Sequence, residues 1–172
     1  CFPKDVMALY RTAMENDYDF KILDAVTDIN SYQKRRILNK IDGYFEGKLK
    51  NKKFALWGLA FKAETDDIRE APSLEIIAGL LRDGATITAY DPEATQNIKN
   101  HFGDLKNLKY ADDQYGALKD ADALIIATEW NVFKNPDFEM MKKQMKKPVI
   151  FDGRNIYELD TMKEQGFVYH SI

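Results

Sequence analysis

Residues Phe61 to Ser73, Phe-Lys-Ala-Glu-Thr-Asp-Asp-Ile-Arg-Glu-Ala-Pro-Ser, crowd two cations (Lys62 and Arg69), four carboxylates (Glu64, Asp66, Asp67 and Glu70), an aromatic ring and a proline into thirteen positions. A ring followed by an ammonium can stack on a base and neutralise a phosphate, and a guanidinium steadied by carboxylates can fork onto a second phosphate. The same residue types also describe a solvated loop whose charges pair with one another while Ser73 caps the next helix. Composition alone leaves both readings open.

Cys1 is a second candidate. It stands just before Pro3, Lys4 and Asp5 at the start of a helical pattern, and a helix N-terminus with a nearby ammonium lowers a thiol's pKa and supplies thiolate near neutral pH. A first-position cysteine with no chemical role is the competing reading. Asp152-Gly153-Arg154 places a guanidinium after an apolar run, either as an anion ligand or as a surface arginine after a turn. Asp91, followed by Pro92, stands where the acid of a dinucleotide-binding fold holds a ribose hydroxyl, or where a helix is capped. His101 and His170 fall in a helical and a strand pattern, and no Cys/His/Asp spacing resembles a zinc or EF-hand site, so no metal is expected.

These residues can act together only if the fold brings them to one edge. Short apolar runs at Phe54 to Trp57, Ile87 to Tyr90, Leu124 to Ala127, Val149 to Phe151 and Phe167 to Tyr169 alternate with helical patterns at Leu74 to Leu81, Ala94 to Phe102, Asp137 to Met145 and Leu159 to Glu164. That rhythm implies βαβ units with right-handed crossovers and a sheet covered on both faces. The expected fold is α/β, a doubly wound, mostly parallel sheet of Rossmann-like but degenerate kind. The first strand runs into Trp57-Gly58-Leu59-Ala60-Phe61-Lys62 and lacks the G-x-G-x-x-G that cradles a pyrophosphate. Ligands of such sheets bind beyond the carboxyl ends of the strands, where strand order reverses. This singles out Gly58 to Ser73, Asp91-Pro92, Thr128 to Pro136 and Asp152 to Tyr157.

Residues 1–47 read as a helical segment ahead of a Rossmann-like domain at 48–172. Val6, Leu9, Tyr10 and Met14 mark one helix; from about Phe20 to Phe45, Leu23, Val26, Ile29, Ile37, Ile41 and Tyr44 mark the apolar stripe of another. A helix of roughly 25 residues is long for a globular domain and reads as a connector that packs against another domain or subunit. The composition is that of a folding chain: 172 residues, 45% apolar and 31% charged. A net charge of −3 gives no sign of nucleic acid as partner. One cysteine precludes an internal disulfide, and no apolar run reaches the ~20 residues of a transmembrane helix, so a cytoplasmic protein without a membrane partner is expected.

Cys1-Phe2-Pro3-Lys4-Asp5, the run Gly58-Leu59-Ala60-Phe61-Lys62 with Thr65-Asp66-Asp67-x-Arg69-Glu70-x-Pro72-Ser73, and Phe151-Asp152-Gly153-Arg154 together resemble the C-terminal part of the UDP-glucose/GDP-mannose 6-dehydrogenases. Tyr90-Asp91-Pro92, Thr128-Glu129-Trp130-x-x-Phe133 and Asn30-x-x-Gln33 support the resemblance, which covers nearly the whole chain. It implies a piece of a longer subunit: an N-terminal Rossmann domain for NAD, a central long helix used in dimerisation and a C-terminal domain for the nucleotide sugar, of which this chain resembles the last two. The implied reaction is a double oxidation of a sugar C6 alcohol to a carboxylate, with NAD as cofactor and UDP-glucose as substrate. Cys1 would be the nucleophile, forming a thiohemiacetal and then a thioester, and Asp5 would position or activate water. Phe61, Lys62 and Arg154 would contact the UDP-sugar, Lys4 and Arg69 would lie on the NAD side, and Asp66, Asp67 and Glu70 would orient Arg69. A homodimer through the long helix is expected, and the 172 residues alone are expected not to turn over. The alternatives are a dehydrogenase for GDP-mannose or another nucleotide sugar, and a non-catalytic nucleotide-sugar-binding or dimerisation module.

Overall fold

The computed structural model describes residues 2–172; Cys1 and the side chains of Phe2, Pro3 and Lys4 lie outside the described residues. Two helices open the chain, α1 (Phe2–Glu15) and α2 (Lys21–Phe45). Strands and helices then alternate: β1 (Lys53–Trp57), α3 (Pro72–Arg82), β2 (Thr86–Tyr90), α4 (Thr95–Phe102), β3 (Leu108–Tyr110), α5 (Gln114–Ala117), β4 (Ala123–Ile126), α6 (Asn131–Lys134), α7 (Phe138–Gln144), β5 (Val149–Asp152), α8 (Leu159–Glu164) and β6 (Val168–Ser171). All neighbouring strands pair in parallel. Their order, β3-β2-β1-β4-β5-β6, is the doubly wound one, with its reversal between β1 and β4.

The chain divides into two compact units, residues 1–36 and 37–172. In the first unit, Leu9, Met14, Tyr18, Ile22, Ile29 and Tyr32 are exposed. The second unit holds the sheet, and Phe54 to Trp57 of β1 and all of β4 are apolar and buried because both faces of the central strands are covered. Phe54 and Leu56 of β1, with Ala123 and Ile125 of β4, enter a core shared with Ile37, Ile41 and Phe45 from the end of α2, Ile76, Ile77 and Leu80 of α3, and Ile98 of α4. Ala55 and Trp57, with Leu124 and Ile126, point the other way, into a core closed by Phe133, Met141 and Met162 of α6, α7 and α8. Trp57 stacks on Phe133 at 5.0 Å between centroids, and its Nε1 donates to the Gln114 carbonyl at 2.8 Å.

Three elements escape the sequence pattern. β3 is an edge strand of three residues with only Leu108 buried, too short to show alternation. α5 and α6 have four residues each. α5 forms because Asp113 caps it, its carboxylate accepting from the Tyr115 and Gly116 amides at 2.8 Å.

Candidate functional site at the sheet reversal

The turn after β1 is shaped by Gly58. Its φ of +89° is left-handed, and a Cβ there would lie 2.5 Å from the Thr128 backbone nitrogen. That approach brings the β4 loop onto the β1 turn, where the Thr128 hydroxyl donates to the Ala60 carbonyl at 2.6 Å. Leu59 and Ala60 are wholly buried. Ser73 is not the cap of α3 that the sequence suggested: the cap position is Ala71, without a side-chain bond, and the Ser73 hydroxyl instead donates to the Leu59 carbonyl at 2.6 Å.

Asp91, at the end of β2, is buried and turned inward. Its Oδ2 accepts from the Leu59 amide at 2.6 Å, the Ala60 amide at 3.2 Å and Trp130 Nε1 at 3.0 Å. Its Oδ1 accepts from the Glu93 and Ala94 amides at 2.9 and 2.8 Å, shaping the turn that leads into α4. The ribose-binding reading is therefore excluded, and the helix-side reading describes only half of what the carboxylate does. The amides that would face a dinucleotide's pyrophosphate already hold a carboxylate.

Phe61 follows, half-buried, with its amide donating to the Asp67 carbonyl at 2.8 Å. Lys62 is exposed and has no ion pair among the described residues. Farther along the loop, Arg69 forks onto Asp67, Nε to Oδ1 at 2.9 Å and Nη2 to Oδ2 at 2.6 Å. This hydrogen-bonded pair, and then the charge of Asp67, raises the Arg69 pKa further. Asp66 does not orient Arg69. It anchors the loop to α4 instead, accepting from Asn97 Nδ2 at 3.1 Å on its carboxylate and 2.9 Å on its carbonyl.

Arg154 closes the arrangement from β5. Its Nε donates to the Ala127 carbonyl at 2.8 Å and its Nη2 to the Phe61 carbonyl at 3.0 Å. Glu129 Oε2 stands 3.1 Å from Nε as a charge partner, without accepting an aligned hydrogen bond. The guanidinium is thus a clasp across the ends of β1, β4 and β5 rather than a free surface charge. Asp152, fully buried, fixes the turn beneath it by accepting from the Arg154 and Ile156 amides, both at 2.8 Å, and from the Tyr169 hydroxyl at 2.7 Å. Burial, and then the bond to Asp152, pushes the Tyr169 pKa up.

Phe61, Lys62 and Arg154 are therefore brought together, while Arg69 lies on the outer part of the same loop. Asp5 is exposed in the first turn of α1, in the other unit. Cys1 and the Lys4 side chain lie outside the described residues. Sequence reasoning missed the structural parts played by Thr128, Glu129, Trp130 and Asp152; the signals were the motifs that contain them and their place at the ends of β4 and β5. His170 lies on β6 against Phe151, ring centroids 4.9 Å apart, and burial followed by the charge of Lys40 lowers its pKa. Among the described residues no group of three His, Cys, Asp or Glu side chains is placed to hold a metal ion, and no helix is long and apolar enough to cross a membrane.

The sequence profile of the UDP-glucose/GDP-mannose dehydrogenase family, UDP binding domain, matches residues 55–159, which contain the β1 turn, the charged loop and Arg154. All of this chain aligns with 39% of a UDP-glucose 6-dehydrogenase of Pseudomonas aeruginosa at 42% identity. It aligns in the same way with 37% of a UDP-glucose 6-dehydrogenase of Bacillus subtilis at 40% identity. The chain thus spans about two fifths of the length of these curated relatives. A solved UDP-glucose dehydrogenase from Pyrobaculum islandicum superimposes on 99% of this chain, and on 36% of its own, with a TM-score of 0.83 at 28% identity.

Proposed function

The chain belongs to the UDP-glucose/GDP-mannose dehydrogenase family, and from that membership we propose that it is the nucleotide-sugar-binding part of a UDP-glucose 6-dehydrogenase. The observation that carries this reading is the clasp of Arg154 on the Phe61 carbonyl. It holds the Phe61 backbone, and with it the adjacent Lys62, which has no ion pair among the described residues, at the edge where strand order reverses, the place where doubly wound sheets take ligands. Phe61 offers a face to the uracil or ribose, and Lys62 offers a charge to the diphosphate. Arg154 acts mainly by holding Phe61 in place, with the unbonded part of its guanidinium directed to the sugar nucleotide.

NAD supplies the hydride acceptor for each of the two oxidations. The turn after β1 does not fit a dinucleotide, because Asp91 already engages its amides, so NAD is assigned chiefly to residues other than these. Lys4 and Arg69 are the proposed contacts on its side. Cys1 is the proposed nucleophile: its thiolate adds to the C6 aldehyde, loss of hydride from the thiohemiacetal leaves a thioester, and water positioned by Asp5 releases the carboxylate and the thiol. The exposed Leu9, Met14, Tyr18, Ile22, Ile29 and Tyr32 of the 1–36 unit are the proposed interface of a homodimer. The 172 residues alone are expected not to turn over.

Calorimetric titration of the chain with UDP-glucose, UDP and GDP tests the reading. Saturable binding of UDP-glucose and UDP with much weaker GDP binding is expected. Preference for GDP would move the assignment to a GDP-sugar enzyme, and absence of binding by all three would overturn the site.

A further inference from the structure

The carboxylate of Asp91 collects five N–H donors from three separate stretches of chain: two from the β1 turn, two from the turn before α4, and the indole of Trp130 after β4. It is 3% exposed. A hub of this kind has two physical consequences. The charge is compensated only while all three stretches are in place, and each stretch is fixed relative to the other two by a charge-assisted bond.

In a dinucleotide-binding sheet the acid at the end of β2 reaches outward to a ribose while the glycine turn after β1 presents its amides to pyrophosphate. Here the acid and the amides satisfy one another. We propose that Asp91 is a positioning residue for nucleotide-sugar binding. It acts as an internal anion that takes the place of a dinucleotide's pyrophosphate on the Leu59 and Ala60 amides, and so fixes the two residues immediately ahead of Phe61 and Lys62. Asp91 touches no ligand. It sets the direction in which the ring and the ammonium leave the sheet, while Arg154 holds the Phe61 carbonyl from the far side. The inference rests on the proposed nucleotide-sugar site at Phe61 and Lys62.

The test uses the full chain, amide hydrogen exchange and titration with UDP. Asp91→Ala removes both acceptor oxygens, so the Leu59 and Ala60 amides lose their acceptor. Exchange at Leu59 and Ala60 is expected to accelerate by about 10- to 100-fold, the factor for one charge-assisted hydrogen bond. The amides of Ile125 and Phe151 in the sheet keep their protection, and UDP affinity falls by about tenfold or more. General unfolding would not give that local pattern. Because Asp91→Ala can prevent folding, Trp130→Phe is the second variant: it removes one donor and leaves four, and should weaken UDP about 3- to 10-fold with the fold intact. Unchanged exchange at Leu59 and Ala60 in Asp91→Ala, or wild-type UDP affinity in a folded variant of either kind, would overturn the proposal. If the wild-type chain binds no UDP the proposed function fails, whereas the exchange result still decides whether Asp91 fixes the turn.

Discussion

Replacing Arg154 by alanine isolates the clasp. The wild-type side chain donates to the Ala127 carbonyl at 2.8 Å and the Phe61 carbonyl at 3.0 Å, and stands 3.1 Å from Glu129. A hydrogen bond from a charged donor contributes about 1.5–3 kcal/mol. The lower figure applies, because the Arg154 side chain is 28% exposed and water can reach the freed carbonyls. Two such bonds give about 3 kcal/mol. The half-buried Glu129 pair adds little, since that side chain is 39% exposed and, freed of Arg154, can turn its carboxylate to solvent. At about 2–4 °C per kcal/mol for a chain of this size, the unfolding midpoint should drop by about 6–12 °C. Arg154→Lys keeps the charge, but a single ammonium cannot span carbonyls that the wild type meets through Nε and Nη2, so about half the loss should remain. Thermal unfolding followed by circular dichroism at fixed protein concentration measures both. A midpoint for Arg154→Ala within about 2 °C of wild type would show that the fork carries no stability. Full recovery in Arg154→Lys would show that charge, not fork geometry, is what matters.

Lys62→Ala should leave the melting temperature unchanged, since the ammonium is exposed and unpaired among the described residues. It should weaken UDP binding by about 1.5–3 kcal/mol in a calorimetric titration, the contribution of a charge-assisted bond to a phosphate; an unaltered affinity would return the segment to a solvated loop. His170 has its pKa lowered from 6.5 by burial, so protonation favours the unfolded chain: its contribution to stability is present above pH 6.5 and is lost as pH falls below that value. His170→Phe keeps a ring against Phe151 and removes the titration. Its urea midpoint should therefore fall less than that of wild type between pH 7 and the acid side of 6.5, and parallel pH profiles would refute the assignment.

The strands most plainly legible in sequence are those buried on both faces. β1 and β4 are runs of apolar residues because neither side meets water, whereas β3 contributes one buried residue, Leu108, and leaves no pattern. Along α2 the helical pattern is clear but its use is not: Ile29 and Ile41 both belong to the helix's apolar spacing, yet Ile41 is wholly buried and Ile29 is 60% exposed. Helical spacing records which residues share a face, not what covers it. The motif positions Phe61, Lys62 and Arg154 were legible for a similar reason, since their residue types are distinctive. Their mutual geometry was not, because Arg154 is held by the carbonyls of Ala127 and Phe61. Every residue has a carbonyl, so such partners leave no mark in the sequence.

The inward turn of Asp91 and the missing glycines after β1 have one physical cause. A dinucleotide turn is bare backbone, open to a phosphate outside. Leu59 and Ala60 carry side chains that are wholly buried, and burying a leucine contributes about 1.5–3 kcal/mol, enough to draw the turn into the sheet end. Amides drawn inside without an acceptor would each cost about 1–3 kcal/mol, which would cancel that gain. Asp91 removes the cost by accepting both, and Trp130 and the α4 turn compensate the remaining lone pairs of the carboxylate. With Leu59 and Ala60 buried, an outward acid would strand their amides. Losing the pyrophosphate cradle and displaying Phe61 and Lys62 beyond it are thus a single rearrangement of one turn.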